Sequence, residues 1–217
     1  MANSPQDKGP EDRKKELQAK LSRSESKLSG LRSRAMLSSL ADEIEDIGSN
    51  LALLPSQIEG IRAKGYIYKK YLEGKASVLS SRWEELKPRL NDEMRRLGRE
   101  LELEADMVSK EVNQSRSYLD SPGGAGTFLE RTIERAERRV GDLEDRIKSA
   151  EEKMRGMFDT LKTNIAETKQ ELDRIEWMQK QLDEASFRLH SEENAIEAVE
   201  AEYLEDGKKG PKGILYL

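Results

Sequence analysis

The chain has 217 residues, a net charge of −5, 37% charged residues and 35% hydrophobic residues. That is too polar for an ordinary compact globule, which carries roughly 25% charged and 45–50% apolar residues, and an acidic balance disfavours general nucleic-acid binding, which needs a basic surface. With no cysteine and a single histidine, disulfides, thiolate metal sites and di-iron centres built on two Glu-x-x-His pairs are excluded.

No apolar run approaches the roughly 20 residues of a membrane-spanning helix, and Leu51–Leu54 is the longest near-candidate. The opening MANSPQDKGPEDRKK has no apolar core, so it does not read as a secretory signal. The expected compartment is the cytoplasm. Charge is uneven along the chain: residues 61–99 hold 11 Lys/Arg against 5 Asp/Glu, whereas residues 175–206 hold 2 against 10.

Residues 1–10, with Pro5, Gly9 and Pro10, read as a disordered leader. A first helix is expected over 11–47, with Leu17, Leu21, Leu28, Leu31, Leu37, Leu40, Ile44 and Ile47 on its apolar side. Gly48-Ser49-Asn50 then offers a stop, and Pro55 suits the first turn of a new helix. The spacing Ile44, Ile47, Leu51, Leu54, Ile58, Ile61 is unbroken across it, so one kinked helix is the alternative.

The second helix is expected over 56–119. Leu79, Leu90, Leu101 and Val112 recur every 11 positions, as do Leu86, Leu97, Val108 and Leu119. Eleven residues make three turns at 3.67 residues per turn, a nearly straight seam. Pro88 falls inside it and predicts a bend. Asp120–Thr127, with Pro122 and three glycines, is the clearest loop, and Thr127 with Glu130 makes a capping box.

The third helix is expected over 127–205. Leu129, Ile133, Ala136, Val140, Leu143, Ile147, Ala150, Met154, Met157 and Leu161 alternate in steps of 4 and 3, a coiled-coil heptad seam. It then shifts to Ile165, Thr168, Leu172 and Ile175, and runs on through Gln179, Leu182, Leu189, Ile196 and Val199 toward Tyr203. Helices joined by a short loop fold back on one another. Pairing about residue 123 sets Trp83 near Thr163, Met94 near Met154, and the basic stretch 61–75 opposite the acidic 171–185. The expected fold is therefore all-α: a long antiparallel coiled-coil hairpin with the N-terminal helix packed at its base, parallel to the third, and a two-helix tip. Within the tail 206–217, Asp206–Gly213 reads as a linker and Ile214–Leu217 as a short strand, which docks, pairs elsewhere or opens a further domain.

Candidate sites are few. His190 has one carboxylate, Glu193, at helical spacing, too few for a metal or acid–base site. The acids at 42–46 and 197–202 read as solvated helix faces. Gly123–Gly126 lacks the lysine and preceding strand of a phosphate loop. Tyr66, Tyr68 and Tyr71 interleave with Lys69 and Lys70; Tyr68 is assigned to the seam with Ile61, Leu72 and Leu79. The basic run Arg13–Arg34 is assigned to docking on the acidic end of the third helix or to anionic lipid. Lys69, Lys70, Lys75, Arg95, Arg96 and Arg99 form the candidate contact surface.

Gly213-Ile-Leu-Tyr-Leu217 after a basic turn resembles the opening strand of bacterial PH-like and GRAM-type domains, which implies lipid-headgroup or protein binding by a longer chain. Three long helices, proline bends and the basic stretch 61–99 resemble in outline BAR-type crescents and the helical hairpins of ESCRT-III and PspA relatives, which implies contact with an anionic membrane surface. The residues themselves point to a non-enzymatic coiled-coil scaffold or assembly module, acting through a protein partner or its own copy as a homodimer. No cofactor, nucleic acid or small-molecule substrate is expected. The alternative is a peripheral membrane-binding helical module that uses 61–99.

Overall fold

The computed structural model describes residues 10–61, 66–121, 126–185, 198–205 and 208–216. Four helices, α1 (Pro10–Ala35), α2 (Ser38–Glu59), α3 (Tyr66–Asp120) and α4 (Thr127–Ala185), precede two strands, β1 (Ala198–Glu205) and β2 (Lys208–Tyr216). The fold is all-α with one small antiparallel sheet. The chain divides into two compact units, one comprising Met1–Ile44 with Lys87–Met157, the other Glu45–Leu86 with Phe158–Leu217.

In the first unit α3 and α4 are antiparallel. As position falls from Glu111 to Glu104 to Glu93 along α3, the cationic partner rises from Arg139 to Arg146 to Lys153 on α4. Inside this ladder lie the expected seams: Leu90, Leu101 and Val112 on α3, and Leu129, Ile133, Val140, Leu143 and Ile147 on α4, all buried.

Helix α1 runs parallel to α4, with Lys27 on Glu144 and Arg34 on Glu151, and antiparallel to α3, with Glu25 on Arg116 and Arg32 on Asp106. The expected two-helix tip is not observed. Glu25 already reaches the last turns of α3, and Leu21 and Leu17, one and two turns further on, are buried too. An apolar stripe that begins at Leu17 has to be covered along its whole length. The basic run of α1 meets Glu144 and Glu151 rather than the acidic end of α4, because parallel packing fixes that level.

The break between the first two helices lies at Met36–Leu37, not at Gly48–Asn50. Leu37 is left-handed (φ 53°) and its carbonyl accepts the first bonds of α2, from Leu40 and Ala41. Gly48 and Pro55 sit inside α2. The stripe Ile44, Ile47, Leu51, Leu54, Ile58 is buried throughout, so burial of one continuous face outweighs both breakers. The Ser56 hydroxyl donates to the Leu53 carbonyl next to the proline. Helix α3 consequently starts at Tyr66, ten residues later than expected.

In the second unit α2, α3 and α4 pack together. Gly48 of α2 lies under the Trp83 indole of α3, and Lys169 of α4 donates to Asn50 of α2 at 2.6 Å. Lys75 on α3 reaches Glu171 on α4, the antiparallel register expected from the sequence. Along α4 the seam shifts one heptad earlier than expected: Phe158 is fully buried and Met157 only half-buried. The consecutive steps Ala150–Met154–Phe158 are 4 and 4, the stutter that unwinds a heptad seam. Further on, Met178 rather than Gln179 is buried.

The expected helix to residue 205 is wrong. Helix α4 ends at Ala185, and 198–205 is a strand. The expected linker 206–213 overlaps β2, whose residues pair Val199 with Leu215, Glu202 with Lys212 and Glu205 with Lys208. Ala198 packs on Met178 and Leu182, with Trp177 beside them. The leader, His190 with its neighbours, Leu189, Ile196, Gly123–Ala125 and Leu217 lie outside the described residues.

Candidate interaction surface

Two features of α3 stand out, one in each unit. In the second unit, α2 covers one side of the α3–α4 seam, through Trp83 and Lys169. Gly74 precedes Trp83 by nine residues, and Glu171 follows Lys169 by two; at 100° per residue each faces roughly the opposite way. A groove of about 620 Å³ opens there. Its α3 wall is Tyr71, Gly74 and Val78, with Lys70 and Arg82 at the ends. Its α4 wall is Asn164, Glu167 and Thr168.

Tyr71 and Val78 are 57% and 53% exposed, although each lies one residue from a buried seam position, Leu72 or Leu79. A Cβ added at Gly74 meets nothing within 4 Å. Thr168 is fully buried, and its hydroxyl is satisfied by the Asn164 carbonyl at 2.8 Å.

Tyr71 also walls a second cavity of about 280 Å³, whose floor is Leu72, Ile175, Met178 and Ala198. The two cavities share Tyr71 as a wall and together make a trough along the α3–α4 seam, crossed by the Lys75–Glu171 pair and lined at its far end by Ala198 of β1. Tyr68, assigned to the seam from its spacing, instead stands 41% exposed at this end.

The charges of the trough differ in what holds them. Lys75 donates to both Glu171 oxygens at 2.8 and 2.9 Å and lies 5.4 Å from the Tyr71 ring centroid. The hydrogen bond to Glu171 raises its pKa above the ordinary lysine value despite partial desolvation. Lys69 donates to the Glu59 carbonyl at the end of α2, a C-terminal cap rather than a contact residue. Lys70, Arg82 and Arg174 are exposed and have no carboxylate partner among the described residues.

The predicted contact surface is therefore divided. Lys69, Lys70 and Lys75 belong to the second unit, and Arg95, Arg96 and Arg99 to the first. Arg96 is clamped between Glu93 and Glu100, while Arg95 and Arg99 are exposed. Sequence reasoning named Tyr71 only within the tyrosine–lysine cluster and missed Val78, Arg82 and Arg174. The signal was there: Tyr71, Gly74 and Val78 repeat the 3-4 spacing of the main seam, displaced by one residue.

The second feature is an apolar patch in the first unit. Arg32 meets Asp106 where α1 crosses α3. Four residues past Arg32, at the junction that follows α1, stands Met36; on α3, Leu103 and Met107 stand one turn apart on either side of Asp106. These three side chains are 64%, 66% and 54% exposed. Nearer the loop, Phe128 is 66% exposed and meets Tyr118 edge-to-face at 5.6 Å.

Among the described residues no group of three or more His, Asp or Glu side chains could hold a metal ion, and no helix is long and apolar enough to cross a membrane. Comparison of the chain with protein-family models, with curated proteins and with solved structures finds no match.

Proposed function

We infer that this chain is a non-enzymatic helical scaffold that acts through protein contacts and associates with its own copy as a homodimer. The observation that carries this reading is the patch of Met36, Leu103 and Met107. Large apolar side chains held more than half exposed and clustered on one surface mark a contact site, where scattered ones would need no explanation. The buried stripe of Leu28, Leu31 and Ala35 holds α1 on its neighbours, so the patch is presented on a built surface. An isologous dimer would cover the patch with itself.

Light scattering on the full chain coupled to gel filtration tests this. The expected result is a dimer that becomes a monomer when Leu103→Glu and Met107→Glu are combined, with helicity unchanged. A monomer at every concentration, or a dimer indifferent to the double variant, overturns the reading.

A further inference from the structure

We propose that the α3–α4 trough of the second unit is a docking groove for an acidic amphipathic helix of a partner protein. The proposal rests on the reading of the chain as a contact scaffold and adds a second surface with a stated occupant.

Four observations carry it. The trough follows the α3–α4 seam on the side away from the α2 contacts at Trp83 and Lys169, and Ala198 of β1 lines its far end. Its apolar wall repeats at 3 and 4 residues through Tyr71, Gly74 and Val78, the spacing at which one helix receives the side chains of another. Gly74 lies on an exposed face of a helix interior, where glycine costs about 1 kcal/mol relative to alanine. The empty space over it lets another backbone come close.

The fourth observation is charge. Lys70 and Arg82 stand twelve residues apart, about 18 Å along the helix, and Arg174 faces them from α4. Among the described residues none has a carboxylate partner, whereas Lys75 between them is already neutralised by Glu171. Among the described residues the acids on the trough wall are Glu167 and Glu171, and Glu171 is already taken by Lys75.

A second copy laid groove to groove would set cation against cation. A strand would find no free backbone edge on α3. A flat membrane surface would leave the concave floor at Gly74 unfilled. A helix with an apolar stripe and flanking carboxylates satisfies both the wall and the unpaired cations.

The test uses the full chain and a fluorescein-labelled peptide of about three heptads, with Leu at a and d and Glu at e and g. Controls are the same composition scrambled, the Lys-for-Glu analogue, and phosphatidylcholine–phosphatidylserine vesicles. Fluorescence anisotropy should show saturable binding of the acidic peptide at least about tenfold tighter than either control peptide. Gly74→Trp, which fills the groove, and the surface pair Lys70→Glu with Arg82→Glu should each weaken it by about tenfold or more, with circular dichroism unchanged. Leu103→Glu with Met107→Glu should leave it intact, which separates this surface from the dimer contact. Equal binding of all three peptides, insensitivity to the groove variants, or vesicle binding lost on Lys70→Glu with Arg82→Glu in the absence of peptide binding each overturns the proposal.

Discussion

Gly48 and Trp83 are in contact: a Cβ built on Gly48 would stand 3.3 Å from the indole ring. The indole itself is only 5% exposed, so it has little room to move aside. A glycine that looks like a helix stop is thus a packing residue. Gly48→Ala should be close to neutral, because a helix-propensity gain of about 1 kcal/mol offsets the crowding. Gly48→Leu should cost about 1–3 kcal/mol from overpacking. Urea unfolding of both variants checks this, and a stabilised Gly48→Leu protein would refute it.

Leu37 is buried and left-handed at once. Leu37→Ala loses the burial and keeps the strained backbone, a cost of about 2–5 kcal/mol. Leu37→Gly loses the same burial but relieves the strain, so it should be more stable than Leu37→Ala by about 1 kcal/mol. In an ordinary helical position the order is reversed. Denaturant midpoints that rank alanine above glycine would contradict the left-handed junction.

Phe158, not Met157, fills the α4 seam. Phe158→Ala should cost about 3–5 kcal/mol. Met157→Ala, at a half-buried position, should cost less than half as much. Equal losses in thermal unfolding would move the stutter back to the expected place.

Glu93 accepts hydrogen bonds from Arg96 and Lys153, and these hold its pKa down at about 2, below the ordinary 4.5. Because the folded value is the lower one, its stabilisation is complete above pH 4.5 and disappears as pH falls toward 2. Glu93→Gln should therefore lower the melting temperature at neutral pH, and the gap to the wild type should close over that window. A gap independent of pH would show that the ion pairs contribute nothing.

Much of this fold is legible in the amino-acid order, and the failures have physical causes. The heptads of 129–154 and the 11-residue rows of α3 repeat often enough that only a helical seam explains them. The Met36–Leu37 junction carries neither Gly nor Pro; its trace is the short step from Ala35 to Leu37 in an otherwise regular stripe. The tail failed differently. Ala-Val-Glu-Ala-Glu-Tyr-Leu-Glu over 198–205 has helical composition, and it is a strand through pairing with 208–216, a register that sets Lys212 opposite Glu202 and Leu215 opposite Val199. For the candidate groove, the cations were visible but not which of them already had partners. Lys75 and Arg96 look like Lys70 and Arg82 until Glu171, Glu93 and Glu100 are placed beside them.

The partners of α1 are remote in the chain. Glu111 and Arg139 are 28 positions apart, whereas Arg34 and Glu151 are 117 apart. Closing the longer loop costs about 1.2 kcal/mol more in chain entropy. Within its unit α1 therefore joins last, after α3 and α4 have met across their turn, and on transient opening it leaves first. Amide exchange should reveal α1 as the least protected helix of its unit, with the Leu37 junction as the point where it detaches.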